Sequence, residues 1–134
     1  MEIPQKQNAA NIMIIDDQTV LLDMLSEMLL RLGYSCVSES DPRKAIDYIL
    51  ENGDQLSMVI TDYAMPEITG LHLIESCNKA HPNLPFVLST GFGMDISESD
   101  GDSTENIVVA HLPKPYNMQA IKELLVEVLG PDAA

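Results

Sequence analysis

The sequence has no tryptophan, only two phenylalanines and four tyrosines, and just seven lysines and arginines in 134 residues. With so little aromatic surface, the core must be built from aliphatic side chains and from eight methionines, whose flexible thioethers fill irregular gaps. The seven bases stand against 21 acids, a formal net charge of −14. That balance argues against nucleic-acid binding through this domain, because phosphate contacts need a basic face. It disfavours anionic membrane surfaces for the same reason and suits partners that carry basic patches. No apolar run approaches the ~20 residues that span a bilayer. The stretch from Met1 to Asn11 is polar and lacks the apolar core of a signal peptide. Cysteine is scarce too: Cys36 falls in an expected strand and Cys77 on an expected helix. Two inert, reduced thiols in a cytoplasmic protein are the expectation. No glycine-rich phosphate loop follows the first apolar run, which argues against a flavin-type or dinucleotide cofactor.

What is present is a regular alternation of short apolar runs and helical periodicities. Asn11 to Ile15 reads as a buried strand closed by two aspartates. Val20, Leu21, Met24, Leu25, Met28 and Leu32, spaced by threes and fours, predict a helix that Gly33 ends. Tyr34 to Ser38 alternates as a second strand. Asp41-Pro42 opens a second helix with Ala45, Ile46, Ile49 and Leu50 inward, and Asn52-Gly53 closes it. Strands follow at Met58 to Thr61, Phe86 to Ser89 and Ile107 to Leu112. A helix through Leu71, Ile74 and Cys77 ends before Pro82. A last helix, capped by Asn117, turns Met118, Ile121, Leu125 and Val128 inward and stops at Gly130-Pro131. Strand–helix alternation implies right-handed crossovers and a doubly wound α/β fold, a parallel sheet with helices on both faces. The weak part is Phe92 to Asn106, where Asp95, Glu98, Asp100, Asp102 and Glu105 mix with glycine, serine and threonine. The alternation places a fourth helix there, and its poor propensity predicts a short or mobile one. No repeat or linker interrupts the chain. The expected organisation is a polar extension (1–10), one domain (11–130) and a tail (131–134).

Three apolar runs end in chemistry-bearing residues: Asp16-Asp17, Asp62 and Lys114, the last flanked by Pro113 and Pro115. In an open parallel sheet, side chains just past the strand ends converge on one crevice. Alone, each residue has a bland reading: a helix cap, a turn, a solvated charge. Their joint placement at successive strand ends favours a shared site. Three close carboxylates need a proton or a cation between them. Hard oxygen ligands without His or Cys suit Mg²⁺ rather than zinc. Asp62 is the candidate phosphoryl acceptor, since a carboxylate can attack phosphorus to form an acyl phosphate. Lys114 can pair with Asp62 and then hold a phosphoryl oxygen, Thr90 adds a hydroxyl, and Gly91 leaves room for close approach.

These residues resemble the signature of the response regulator receiver domain of two-component signalling. The likeness runs from about Asn11 to Leu129 and includes Asp16-Asp17, the segment Asp62-Tyr63-Ala64-Met65-Pro66 with Gly70 downstream, Thr90-Gly91 and Lys114-Pro115. The Arg31-Leu32-Gly33-Tyr34 and Thr90-Gly91-Phe92 segments also resemble receivers at the ends of hybrid histidine kinases. The resemblance implies a flavodoxin-like five-stranded sheet of order 2-1-3-4-5. It implies phosphorylation of Asp62 from a phosphohistidine donor, on a histidine kinase or a histidine phosphotransfer protein. It further implies Mg²⁺ held by Asp17, Asp62 and the backbone carbonyl of Ala64, with Asp16 acting largely through metal-bound water. Thr90 and Lys114 would contact the phosphoryl group, and a homodimer is a possible assembly. The family usually places Tyr or Phe three residues before the lysine as a rotameric switch paired with the threonine. Here that position is His111, an imidazole in place of a phenyl ring. An ordering transition of the acidic stretch from Phe92 to Asn106 on phosphorylation is a further expectation. The competing reading is an aspartyl-nucleophile phosphatase of small phosphate esters. Against it, the second aspartate is adjacent to the first, whereas such enzymes carry an Asp-x-Asp spacing.

Overall fold

A computed structural model describes residues 11–91 and 107–130. Five strands form one parallel sheet: β1 (Asn11–Ile15), β2 (Ser35–Glu39), β3 (Met58–Asp62), β4 (Phe86–Thr90) and β5 (Val108–Pro113), in the order β2-β1-β3-β4-β5. Among the described residues four α-helices accompany them: α1 (Thr19–Arg31), α2 (Pro42–Asn52), α3 (Gly70–Asn78) and α4 (Met118–Leu129). The stretch that the alternation assigns to a helix between β4 and β5 lies outside the described residues, as do both termini beyond 11–130.

Every residue of β3, and all of β4 except Thr90, is buried, as continuous apolar runs in a sheet covered on both faces require. Alternation along the strands divides the core. Ile12, Ile14, Met58, Ile60, Val87 and Leu112 meet α1 and α4 on one face. Met13, Ile15, Val59, Phe86 and Leu88 meet α2 and α3 on the other. Each such side chain contributes about 1.5–3 kcal/mol by leaving water. The cap residues behave as their chemistry demands. Asp41 accepts from the Arg43 N–H with Pro42 at the first helical position, Thr69 accepts from His72, and Asn117 accepts from Ala120. Gly33, at φ +92°, lets the chain leave α1 in the left-handed region.

Two inward faces differ from the periodicity reading. On α1 the buried residues are Leu22, Leu25 and Leu29, whereas Val20 is 71% exposed and Met24 44%. Apolar residues are so dense between Val20 and Leu32 that threes and fours can be drawn along two overlapping stripes, and packing on the sheet selects between them. On α2, Ala45 and Ile49 are buried while Leu50 is 43% exposed. β1 keeps its expected bounds, the other strands shift by one residue at one or both ends, and the shifts on β3 and β4 bring Asp62 and Thr90 into the sheet.

Gly70 fixes how α3 meets the sheet. A Cβ there would run into the Asp62 carbonyl oxygen and come within 2.9 Å of the Leu88 side chain. The Gly70 N–H donates to the Tyr63 carbonyl at 2.8 Å, closing the loop that leaves β3. The absent side chain lets the helix start directly behind the strand end.

Candidate metal and phosphoryl site

The carboxyl ends of β1, β3 and β5 bring the sequence-predicted residues together. Asp16, Asp17 and Asp62 each present a carboxylate oxygen, and these atoms lie within 4.8 Å of one another. Asp16 and Asp62 are 6% exposed, the only buried acidic residues among those described. The Lys114 ammonium reaches across both, donating to Asp62 Oδ1 at 3.0 Å and to Asp16 Oδ2 at 3.1 Å. These are charge-assisted contacts in a partly desolvated setting, the strong class of hydrogen bond. Lys114 is held in turn through its backbone N–H, which donates to the Thr90 carbonyl at 2.8 Å. Asp16 also serves locally: its Oδ1 accepts from the Gln18 N–H at 2.9 Å, an Asx turn that leads into α1. The turn role and the site role coexist in one carboxylate.

Opposing effects set the protonation of the cluster. Burial pushes the Asp62 carboxyl above its ordinary pKa; the hydrogen bond from Lys114 pulls it down, and the charges of Asp16 and Asp17 push it up again. The net direction is upward. Burial works against the Lys114 ammonium, but its bonds and charge interactions with Asp62 and Asp16 outweigh that, and its pKa is raised.

The donor set fits a hard divalent ion. Two oxygens about 2.1 Å from one Mg²⁺ stand about 3–4 Å apart, close to the spacing available here. Asp17 Oδ1 is buried and has no hydrogen-bond partner, an atom suited to a cation ligand. No His or Cys joins the cluster.

The remaining candidates divide. Thr90 ends β4, half-buried, on the strand next to β3. Ala64 lies exposed in the loop two residues beyond Asp62. His111 is exposed on β5, paired in register with Leu88, and is not part of the Asp16, Asp17 and Asp62 cluster. Sequence reasoning missed two polar groups. Tyr116, two residues past Lys114, is half-buried against the core layer under α1 and α4; burial pushes its phenol up, Lys114 opposes that, and the charges of Asp16 and Asp62 add to it. Ser89 is buried, pairs in register with Asp62, and its Oγ has no hydrogen-bond partner. The available signal was position alone: a polar residue inside the apolar run that leads to Thr90.

Comparison with known proteins follows this geometry. The family model described as response regulator receiver domain matches residues 12–126. A putative two-component response regulator of Arabidopsis thaliana is 31% identical over 107 residues, 80% of this chain and 17% of that protein. A chemotaxis protein CheY homologue of Campylobacter jejuni is 27% identical over 123 residues, 89% of this chain and 92% of that protein. The chain thus spans a small part of the plant regulator and nearly all of the bacterial one. Among solved structures, a response regulator receiver domain protein from Clostridium thermocellum superposes with a TM-score of 0.78 at 24% identity, covering 92% of this chain and 93% of that one. These likenesses do not favour the phosphatase alternative. With its sheet order, its acidic strand ends and the lysine that bridges them, the chain belongs to the response regulator receiver domain family, the phosphoryl-accepting switches of two-component signalling.

Proposed function

We propose that Asp62 is the phosphoryl acceptor and that Lys114, Thr90 and the acidic pair assemble the transfer site around it. The supporting observation is the bridge from Lys114 to both Asp62 and Asp16, beside the unpartnered Asp17 oxygen. Asp17, Asp62 and the Ala64 carbonyl would hold Mg²⁺, with Asp16 acting through ordered water. When bound, the ion would supply charge neutralisation for the phosphoryl oxygens.

The chain's own groups account for the rest. An Asp62 carboxylate oxygen attacks phosphorus as the N–P bond of a phosphohistidine breaks, and the released imidazole takes a proton from solvent. Lys114 shifts from Asp62 to a phosphoryl oxygen, and Thr90 donates its hydroxyl to another. Donors are a histidine kinase or a histidine phosphotransfer protein, whose basic groups would meet the acidic rim. The added charge of about −1.5 to −2 is the signal, and Thr90 carries it outward. His111, exposed on β5, is the switch position only if its imidazole moves with Thr90. The domain proper is residues 11–130, acting in the cytoplasm and catalysing only its own phosphorylation and dephosphorylation.

Intact mass after exposure to acetyl phosphate and Mg²⁺ tests the reading. Wild type gains one phosphoryl group and Asp62→Asn gains none. Equal labelling of Asp62→Asn would place the acceptor elsewhere.

A further inference from the structure

Ser89 is 3% exposed, and its hydroxyl has no hydrogen-bond partner. A buried hydroxyl left unpaired costs about 1–3 kcal/mol, so its retention calls for a state in which it is paired. Its surroundings name the partner. Ser89 pairs in register with Asp62, on strands about 4.8 Å apart. Alternation puts both on one sheet face: Ser89 follows Val87, and Asp62 follows Ile60, both members of the core layer under α1 and α4. Its other in-register neighbour is Leu112, which is apolar and offers no side-chain partner. In the resting geometry the Lys114 ammonium holds Asp62 Oδ1.

We propose that Ser89 is a positioning residue for phosphoryl transfer: its hydroxyl donates to the Asp62 carboxyl oxygen that does not carry phosphorus, once Lys114 has moved to the phosphoryl group. This rests on Asp62 being the acceptor. Hydrolysis makes the logic explicit. A water oxygen forms a bond to phosphorus, the bond from Asp62 oxygen to phosphorus breaks, and its electron pair returns to the carboxylate. The proton from water leaves with inorganic phosphate or solvent. Negative charge therefore grows on the Asp62 carboxyl group in the transition state, and a donor aimed at the second lone pair of the oxygen not bonded to phosphorus, beside the one that would face Mg²⁺, strengthens as it grows. Because the resting hydroxyl is unpaired, deleting it removes no folding hydrogen bond. Chemistry and stability should separate.

The test follows phosphoryl loss by intact mass after labelling with acetyl phosphate and Mg²⁺, alongside urea unfolding of the unlabelled proteins. Ser89→Ala is expected to lose the phosphoryl group about fivefold more slowly than wild type, with stability equal or higher. Ser89→Cys fills the same space with a weak donor and should be slowed likewise; it also carries the test if the alanine variant does not fold. Ser89→Thr keeps the hydroxyl and should stay within about twofold of wild type. Decay of Ser89→Ala at the wild-type rate overturns the proposal. So does wild-type decay in Ser89→Cys beside a slowed Ser89→Ala, which would trace the effect to packing, and so does a Ser89→Thr as slow as Ser89→Ala. Failure of wild type itself to take a phosphoryl group would instead remove the acceptor assignment.

Discussion

Replacing Lys114 by methionine isolates the charge at the centre of the site. Methionine keeps much of the apolar stem, so packing changes little and the ammonium is lost. The two contacts removed, at 3.0 and 3.1 Å, join side chains that are 19%, 7% and 8% exposed. Stripping one partner from a fully buried pair costs about 3–5 kcal/mol. The crevice retains some solvent and Asp62 can relieve itself by taking up a proton, so about 2–3 kcal/mol is expected near pH 7.5 without Mg²⁺. The pH dependence has a definite sign. Asp62 already sits above its ordinary pKa, and losing the Lys114 bond raises it further. The folded state then holds a proton that the unfolded chain releases. Stability falls as pH climbs from the ordinary carboxylate range through the raised pKa, and it is regained on acidification. The deficit against wild type should therefore shrink toward about pH 5, and Mg²⁺ should shrink it near neutrality by replacing the missing cation. Urea unfolding of both proteins at the two pH values, with and without Mg²⁺, is the assay. A deficit that is the same at both pH values and indifferent to Mg²⁺ would refute the electrostatic reasoning and leave lysine packing as the cause.

Further outcomes follow from other parts of the structure. Mg²⁺ at ten times its dissociation constant should stabilise wild type by about 1.4 kcal/mol, and Asp17→Asn should lose most of that gain; equal gains in thermal melts would remove Asp17 from the ligand set. Gly70→Ala should cost about 1–3 kcal/mol in urea unfolding, because its Cβ meets the Asp62 carbonyl and Leu88, and an unchanged midpoint would show that α3 can shift freely. Leu29→Ala should cost about 2–5 kcal/mol while Val20→Ala stays within about 0.5 kcal/mol; reversed magnitudes would put α1 back on the stripe drawn through Val20 and Met24.

The sheet order came from the resemblance to receiver domains, whereas the grouping of the charged residues was legible for a physical reason. Buried parallel strands must be apolar and short, so a charged residue at the end of such a run marks the rim where ligands gather. Asp16, Asp17, Asp62 and Lys114 stood out on that ground, and the structure unites them. Capping at Asp41 and Asn117 was equally plain, since a short oxygen-bearing side chain before an apolar periodicity has one dominant local use. The facing of α1 was not legible, because Val20 through Leu32 offers more apolar residues than one stripe can bury. Ser89 and Tyr116 escaped for another reason. Their significance comes from cross-strand register with Asp62 and from the field of the cluster, neither of which exists along the linear chain.

The bridge between Lys114 and Asp16 spans 98 positions of the chain. Its two ends arrive at different times during synthesis, the aspartate 98 positions before the lysine. A ribosome-bound fragment that had made β1 through β4 would present the acidic groups without the ammonium that tames them. The bridged arrangement of Asp16, Asp62 and Lys114 therefore forms only once β5 has joined the sheet, so the assembled site marks a completed fold.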